Sequence, residues 1–175
     1  MIELILGGVR SGKSLLAEQR ALASGLAVTY MATATVGDAE MAERIRHHQS
    51  RRPSEWGLVE TPFDLAGALA THAAPGCCLI VDCLTLWLSN WLCADGESDE
   101  SNFTTQRQAL LNILPGLSGH IILVSNETGM GVVPMGKLSR RFCDESGRLH
   151  QEVATLCHRV TLTVAGLPLT LKETK

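Results

Sequence analysis

The sequence predicts an α/β three-layer sandwich on a mainly parallel sheet, closed by a C-terminal β-hairpin and organised as a single domain over residues 1–175. Three observations carry that expectation. Short apolar or β-branched runs alternate with helix-periodic stretches along most of the chain. Two of the runs, Cys77 to Asp82 and His120 to Ser125, are apolar through their middles, as strands buried on both faces are. The first run, Ile2 to Leu6, leads straight into Gly7-Gly8-Val9-Arg10-Ser11-Gly12-Lys13-Ser14 and then a helix-like segment, Leu15 to Ala23. That is the strand-loop-helix context of a phosphate-binding loop.

The loop's residue types match its chemistry. Glycines let the backbone turn tightly, so that successive N–H groups point inward at phosphates, and the next helix presents its positive end to the same anion. Lys13 is placed to reach the β- and γ-phosphates, and the Ser14 hydroxyl to hold Mg²⁺.

Composition narrows the remaining classes. An apolar content of 45% is ordinary for a globular chain, and a net charge of -3 gives no electrostatic reason to expect nucleic acid or an anionic membrane as partner. The most apolar stretches, 77–81 and 84–93, are interrupted by Asp82, Ser89 and Asn90, so no membrane span is expected. The first residues lack the basic lead-in of a signal peptide, and the cytoplasm is the expected location. Six cysteines without a Cys-x-x-Cys pair read mostly as small buried apolar residues.

Along the chain, Ser24-Gly25 ends the first helix and Ala27 to Ala32 forms a second strand. Its exit, Ala32-Thr33-Ala34, belongs in the crevice beyond the strand ends, beside the glycine loop, although a plain strand exit reads the same way. Asp38 caps a helix carrying Met41 and Ile45 on one face and ending in His47-His48-Gln49-Ser50-Arg51-Arg52-Pro53; cations suit such a helix end. A short strand is expected at 58–60, ending in Glu60, and an alanine-rich helix from Phe63 to Thr71. Cys77 to Asp82 delivers a carboxylate at a strand's end, as the second motif of a nucleotide site does, acting on Mg²⁺ or its water shell. The helix from Leu84 to Leu92 carries Trp87 and Trp91, a stripe suited to core or subunit contact. Asp95 to Asn102 reads as a polar loop, and Thr104 to Leu114 as a helix. After the strand at His120 comes Asn126-Glu127-Thr128-Gly129-Met130-Gly131, a second polar loop facing the crevice. Two helices follow, broken at Ser146-Gly147, and then a hairpin of Val160 to Val164 with Leu169 to Leu171.

In combination these pieces resemble one family. Ile-Leu-Gly-Gly-Val-Arg-Ser-Gly-Lys-Ser, Tyr30-Met31-Ala32-Thr33-Ala34, Glu40-Met41 with Arg44-Ile45-x-His47-His48, Arg52-Pro53-x-x-Trp56 and Ser125-Asn126-Glu127-x-Gly129-Met130-Gly131-x-Val133-Pro134 are similar, in order, to the bifunctional adenosylcobinamide kinase / adenosylcobinamide-phosphate guanylyltransferases of cobalamin biosynthesis. The resemblance implies a P-loop NTPase-like, RecA-like fold and two reactions. A nucleoside triphosphate, ATP or GTP, phosphorylates adenosylcobinamide; GTP then donates GMP to a histidine, which passes it to the new phosphate. It implies His47 as the guanylylated residue, with Lys13 the second catalytic group. The nucleotide site it implies comprises Gly7, Gly8, Val9, Arg10, Ser11, Gly12, Lys13, Ser14, Ala32, Thr33, Ala34, His48, Gln49, Ser50, Arg51, Glu60 and Asp82. Ser14 and Asp82 hold Mg²⁺ in this reading, and the assembly implied is a homotrimer with sites between subunits. Two other readings are a P-loop kinase for another small alcohol and a nucleotide-binding switch; the absence of Asn-Lys-x-Asp counts against the switch.

Overall fold

A computed structural model describes residues 1–35, 53–93 and 100–174, with backbone alone at 100 and 101. The helix expected from Asp38, and with it His47, His48, Gln49, Ser50 and Arg51, lies outside the described residues.

The first strand, β1 (Ile2–Gly7), is buried along its whole length and feeds the glycine loop and helix α1 (Lys13–Ala23). The chain continues through β2 (Ala27–Ala32), β3 (Gly57–Glu60), α2 (Leu65–His72), β4 (Cys77–Asp82), α3 (Leu84–Cys93) and α4 (Glu100–Ile113). A single 3₁₀ turn then leads to β5 (His120–Asn126), α5 (Lys137–Leu156), β6 (Arg159–Val164) and β7 (Leu167–Glu173). These strands form one seven-stranded sheet in the order β3-β2-β4-β5-β1-β6-β7. Every pairing is parallel except the hairpin β6–β7.

Parallel strands need crossover helices, and alternation of side chains gives each helix layer its own core. On one face Leu4, Leu79, Leu123 and Trp87 pack with Leu149 and Val153 of α5; on the other Ile5, Tyr30, Ile80 and Ile122 pack with Ala17 and Ala21 of α1. The carboxylate inside β1, Glu3, is fully buried at the amino-terminal edge of the sheet, where Arg20 (2.5 Å), His120 (2.7 Å) and Arg159 (3.5 Å) surround it. Burial raises its pKa, but the His120 hydrogen bond and the two guanidiniums outweigh that and hold it below the ordinary carboxylate value.

The structure departs from the sequence reading at three elements. The expected break at Ser146-Gly147 is absent, and α5 runs unbroken through both residues. Burial of Ser146, Leu149, His150 and Val153 on the sheet outweighs the roughly 1 kcal/mol that a mid-helix glycine costs. Helix α4 starts at Glu100, inside the stretch read as a loop, because Phe103 packs on Trp87 with ring centroids 5.5 Å apart and extends the helix toward its amino end. In the hairpin, Pro168 lies within β7, leaving Ala165-Gly166 as the turn. Strand β7 is an edge, which tolerates proline.

Candidate active site

The glycine loop sits between the carboxyl end of β1 and the first turn of α1. Arg10 and Gly12 take positive φ, 56° and 95°, and Gly12 is the residue from which α1 starts. A Cβ on Gly12 would stand 3.1 Å from the Cα of Gly166 in the hairpin turn, and the Gly166 N–H donates to the Ser11 carbonyl at 2.9 Å. A Cβ on Gly7 would run into Ser11 Oγ at 2.4 Å and the Thr163 carbonyl at 2.6 Å. Two glycines are therefore needed for packing beneath the loop. Gly8 differs: among the described residues nothing lies within 4 Å of the position its Cβ would take, so they leave the loop open on that side.

Lys13 folds back over the loop and donates from Nζ to the Gly8 carbonyl at 3.1 Å. Burial lowers its pKa, while the neighbouring Asp82 and Cys83 pull it up. A largely buried cation over a loop open at Gly8 suits an incoming polyanion, which would exchange the carbonyl for phosphate oxygens. Ser14 Oγ donates to Asp82 Oδ2 at 3.0 Å, so the two expected Mg²⁺ residues are already in contact. Both offer oxygen, the donor that Mg²⁺ prefers, and Mg²⁺ generally binds to one or two carboxylates plus phosphate and water. Among the described residues, the Ser11 hydroxyl at the same loop is buried without a partner. The residues present fit a nucleotide triphosphate with its metal.

Asp82 is held by a residue that the sequence reading named within a motif but gave no role. Tyr30 donates its hydroxyl to the same Oδ2, at 2.6 Å. The register explains the reach: Tyr30 pairs with Ile80 and Ala32 with Asp82, so Tyr30 is the diagonal neighbour of Asp82 on the α1 face. Period-two alternation along Ala27 to Ala32 was the available signal.

Ala32, Glu60 and Asp82 align across three strands, Ala32 pairing with both. Glu60 is exposed at the far end of that row. Thr33 is brought to the site, but its hydroxyl is consumed internally: it donates to the Cys83 carbonyl and accepts from the Cys83 N–H, each at 2.8 Å. Its backbone is engaged as well, the N–H donating to the Asp82 carbonyl at 3.3 Å. Asn90 of α3 donates to that backbone carbonyl at 2.7 Å and to the Pro62 carbonyl at 2.9 Å.

The second loop arrives on the other side of the P-loop, where the Glu127 N–H donates to the Gly7 carbonyl at 3.0 Å. Asn126 donates from N and Nδ2 to Thr85 Oγ1, at 3.2 and 3.0 Å. Beneath the loop, buried His150 of α5 lies with Nε2 2.7 Å from Ser125 Oγ and Nδ1 3.8 Å from Glu127 Oε2. Burial lowers the His150 pKa, with Glu127 pulling the other way. Cys83 is buried beside Asp82, and burial pushes its thiol up to about 11, so it stays protonated. Cys78 and Cys157 are buried likewise, Cys93 is exposed, and all six cysteines are free. Trp87 is wholly in the core, donating Nε1 to the Phe63 carbonyl at 2.8 Å, and Trp91 packs edge-on against Phe63.

Taken together, a parallel sheet, a phosphate loop on its first strand and a serine–aspartate pair at the loop's exit define a P-loop NTPase-type domain of RecA-like architecture. Helix N-terminus, lysine and oxygen donors converge where a transferring phosphoryl group would sit. A family model described as cobinamide kinase / cobinamide phosphate guanyltransferase matches residues 3–171, and the chain belongs to that family. It is 58% identical to the bifunctional adenosylcobalamin biosynthesis protein CobP of Pseudomonas aeruginosa, covering 98% of each chain. It is 35% identical to the bifunctional adenosylcobalamin biosynthesis protein CobU of Salmonella typhimurium, over 98% of this chain and 100% of that one. Among solved structures, the flagellar accessory protein FlaH of Methanocaldococcus jannaschii superposes with a TM-score of 0.54 at 14% identity, over 99% of this chain and 78% of that one. That last likeness is one of fold. The chain is a transferase of cobalamin biosynthesis.

Proposed function

We propose that this chain phosphorylates adenosylcobinamide with ATP or GTP and then transfers GMP from GTP to the adenosylcobinamide phosphate formed. The observation that carries the reading is the Ser14–Asp82 contact at the exit of a loop open beside Gly8, in a chain whose family match spans residues 3–171.

In the first reaction the substrate hydroxyl attacks the γ-phosphorus and releases its proton to solvent, the bond to the β-phosphate oxygen breaks, and a nucleoside diphosphate leaves. Loop amides and Lys13 carry the charge that accumulates on the leaving group. In the second reaction an imidazole nitrogen of His47 attacks the α-phosphorus of GTP and pyrophosphate leaves. A phosphate oxygen of the substrate then attacks the same phosphorus, the N–P bond breaks, and the product is adenosylcobinamide-GDP. A neutral imidazole suits this role, since its ordinary pKa is about 6.5 and the bond it makes stays reactive. Ser14 and Asp82 would hold Mg²⁺, which would supply charge neutralisation to the triphosphate. Ala32, Thr33, Ala34, His48, Gln49, Ser50, Arg51 and Glu60 belong, with the phosphate loop and Asp82, to the guanine nucleotide site in this reading.

A homotrimer working in the cytoplasm completes the reading. It is supported by Leu167, Leu169 and Leu171, which recur at every second position of edge strand β7 and are 72%, 57% and 55% exposed. Among the described residues the outer edge of β7 pairs with no further strand, and an edge with exposed leucines invites association with another copy. Leu169→Lys should shift the assembly toward monomer in analytical ultracentrifugation; an unchanged assembly would remove the hairpin from the interface.

The decisive experiment is incubation with α-labelled GTP and Mg²⁺. The wild type is expected to carry an acid-labile, base-stable label that His47→Ala abolishes, and retention of label in that variant would reject His47 as the carrier.

A further inference from the structure

Strand β5 lies between the two halves of the phosphate site, with β4 and its Asp82 on one side and β1 and its loop on the other. Its last residue, Asn126, is level with Gly7, where the loop begins, and stands two residues past Val124, the partner of Asp82. Ile122 and Val124 face the core on the α1 side. Alternation therefore puts Asn126 on that face too, the one on which Asp82 meets Ser14. A half-buried amide thus stands one strand from the serine–aspartate pair and beside the loop.

The amide is tethered through its nitrogen. Nδ2 donates one hydrogen to Thr85 Oγ1 at 3.0 Å and turns the other toward Cys83 Sγ at 4.0 Å. The Asn126 backbone N–H donates to the same Thr85 hydroxyl at 3.2 Å, so Thr85, in the first turn of α3, fixes backbone and side chain together. Both amide hydrogens are spoken for, and among the described residues nothing donates to Oδ1. An amide oxygen only accepts, so it has nothing to offer a phosphate oxygen beside it. What it can take there is an O–H, and the phosphorylation brings one: the hydroxyl that attacks the γ-phosphorus.

We propose that Asn126 is a catalytic residue of phosphoryl transfer: Oδ1 accepts a hydrogen bond from the attacking hydroxyl of adenosylcobinamide and aims that oxygen at the γ-phosphorus. This deepens the kinase half of the reading above and rests on it. Asn126 orients the nucleophile and takes no proton. The hydroxyl's proton goes to solvent as the new P–O bond forms and the bond to the β-phosphate oxygen breaks. Displacing a reacting group by about 1 Å costs on the order of a hundredfold in rate.

The test is phosphorylation of adenosylcobinamide by the full chain with γ-labelled ATP, in wild type, Asn126→Ala, Thr85→Val and Thr85→Ser, with thermal midpoints and Mg²⁺ titrations alongside. In Asn126→Ala, kcat should fall about tenfold to a hundredfold. Because Asn126 neighbours Gly7, ATP affinity shifts as well, and the fall in kcat should exceed the rise in half-saturating ATP by about fivefold or more. Thr85→Val unties the amide and should lower kcat by less, while Thr85→Ser keeps the hydroxyl and should stay within about threefold of wild type. Unchanged kcat in Asn126→Ala overturns the inference, and if that variant shows no folding transition, equal rates in the two Thr85 variants do so. A rise in half-saturating ATP as large as the fall in kcat also overturns it, making Asn126 part of the triphosphate cradle. A raised Mg²⁺ requirement with normal saturated kcat overturns it too, giving Oδ1 to the Mg²⁺ water shell. A wild type that transfers no γ-label to adenosylcobinamide would reject the kinase reading and this inference with it.

Discussion

Tyr30 and Ser14 both donate to one oxygen of Asp82, which leaves the other, Oδ1, outside those two bonds. A carboxylate oriented in this way presents a defined acceptor rather than a rotating one, and partners behind a metal ligand typically govern affinity by tenfold or more. Tyr30→Phe is therefore expected to raise the Mg²⁺ concentration for half-maximal kinase activity about tenfold with the fold intact. An unchanged Mg²⁺ dependence would take Tyr30 out of the site. His150 carries a different expectation. Its folded pKa is depressed, so the unfolded chain takes up the proton first as pH falls. The stability it contributes is present above the unfolded value of about 6.5 and is lost as pH falls through the folded value. His150→Asn should flatten that loss, which runs at up to about 1.4 kcal/mol per pH unit for one proton. Urea midpoints at pH 8 and pH 5.5 measure it, and identical pH slopes in both proteins would refute the assignment.

Between elements, the closest approach at the site is that of the P-loop to the hairpin turn. Gly12 needs both its positive φ and its missing side chain, since a Cβ would stand 3.1 Å from Gly166. Gly12→Ala is expected to lower stability by about 1–2 kcal/mol, which in a chain of this length is about 2–8 °C in midpoint, and to weaken triphosphate binding at the same time. A variant that lost stability yet bound nucleotide normally would uncouple turn from loop. At this scale, too, the limits of the sequence are visible. The P-loop, the strand ending in Asp82 and the strand order's parallel character were legible, because each is a local pattern of glycine, charge or apolar run. The continuity of α5 through Gly147 and the early start of α4 were not, because both are decided by contacts on distant elements, the sheet face and Trp87. Tyr30 and Asn90 escaped for the same reason: their roles depend on register and on a helix crossing two strand ends, which no local spacing encodes. His47 was named by resemblance, and its segment lies outside the described residues.

For the molecule as a whole, the site draws on the carboxyl ends of β1, β2, β3, β4 and β5 and on the turn of the hairpin, so ligand and fold are linked. A triphosphate at a hundred times its dissociation constant should stabilise the chain by about 2.7 kcal/mol. A thermal scan with GTP and Mg²⁺ should show that as a rise of several degrees, and Lys13→Ala should abolish it; an equal rise in that variant would mean the nucleotide binds elsewhere. The Gly166–Ser11 bond also sets an order in time. The ribosome delivers Ser11 well before Gly166 and before the strand β6 that pairs with β1, so a nascent chain carries its phosphate loop without this anchor until β6 and the hairpin turn have emerged.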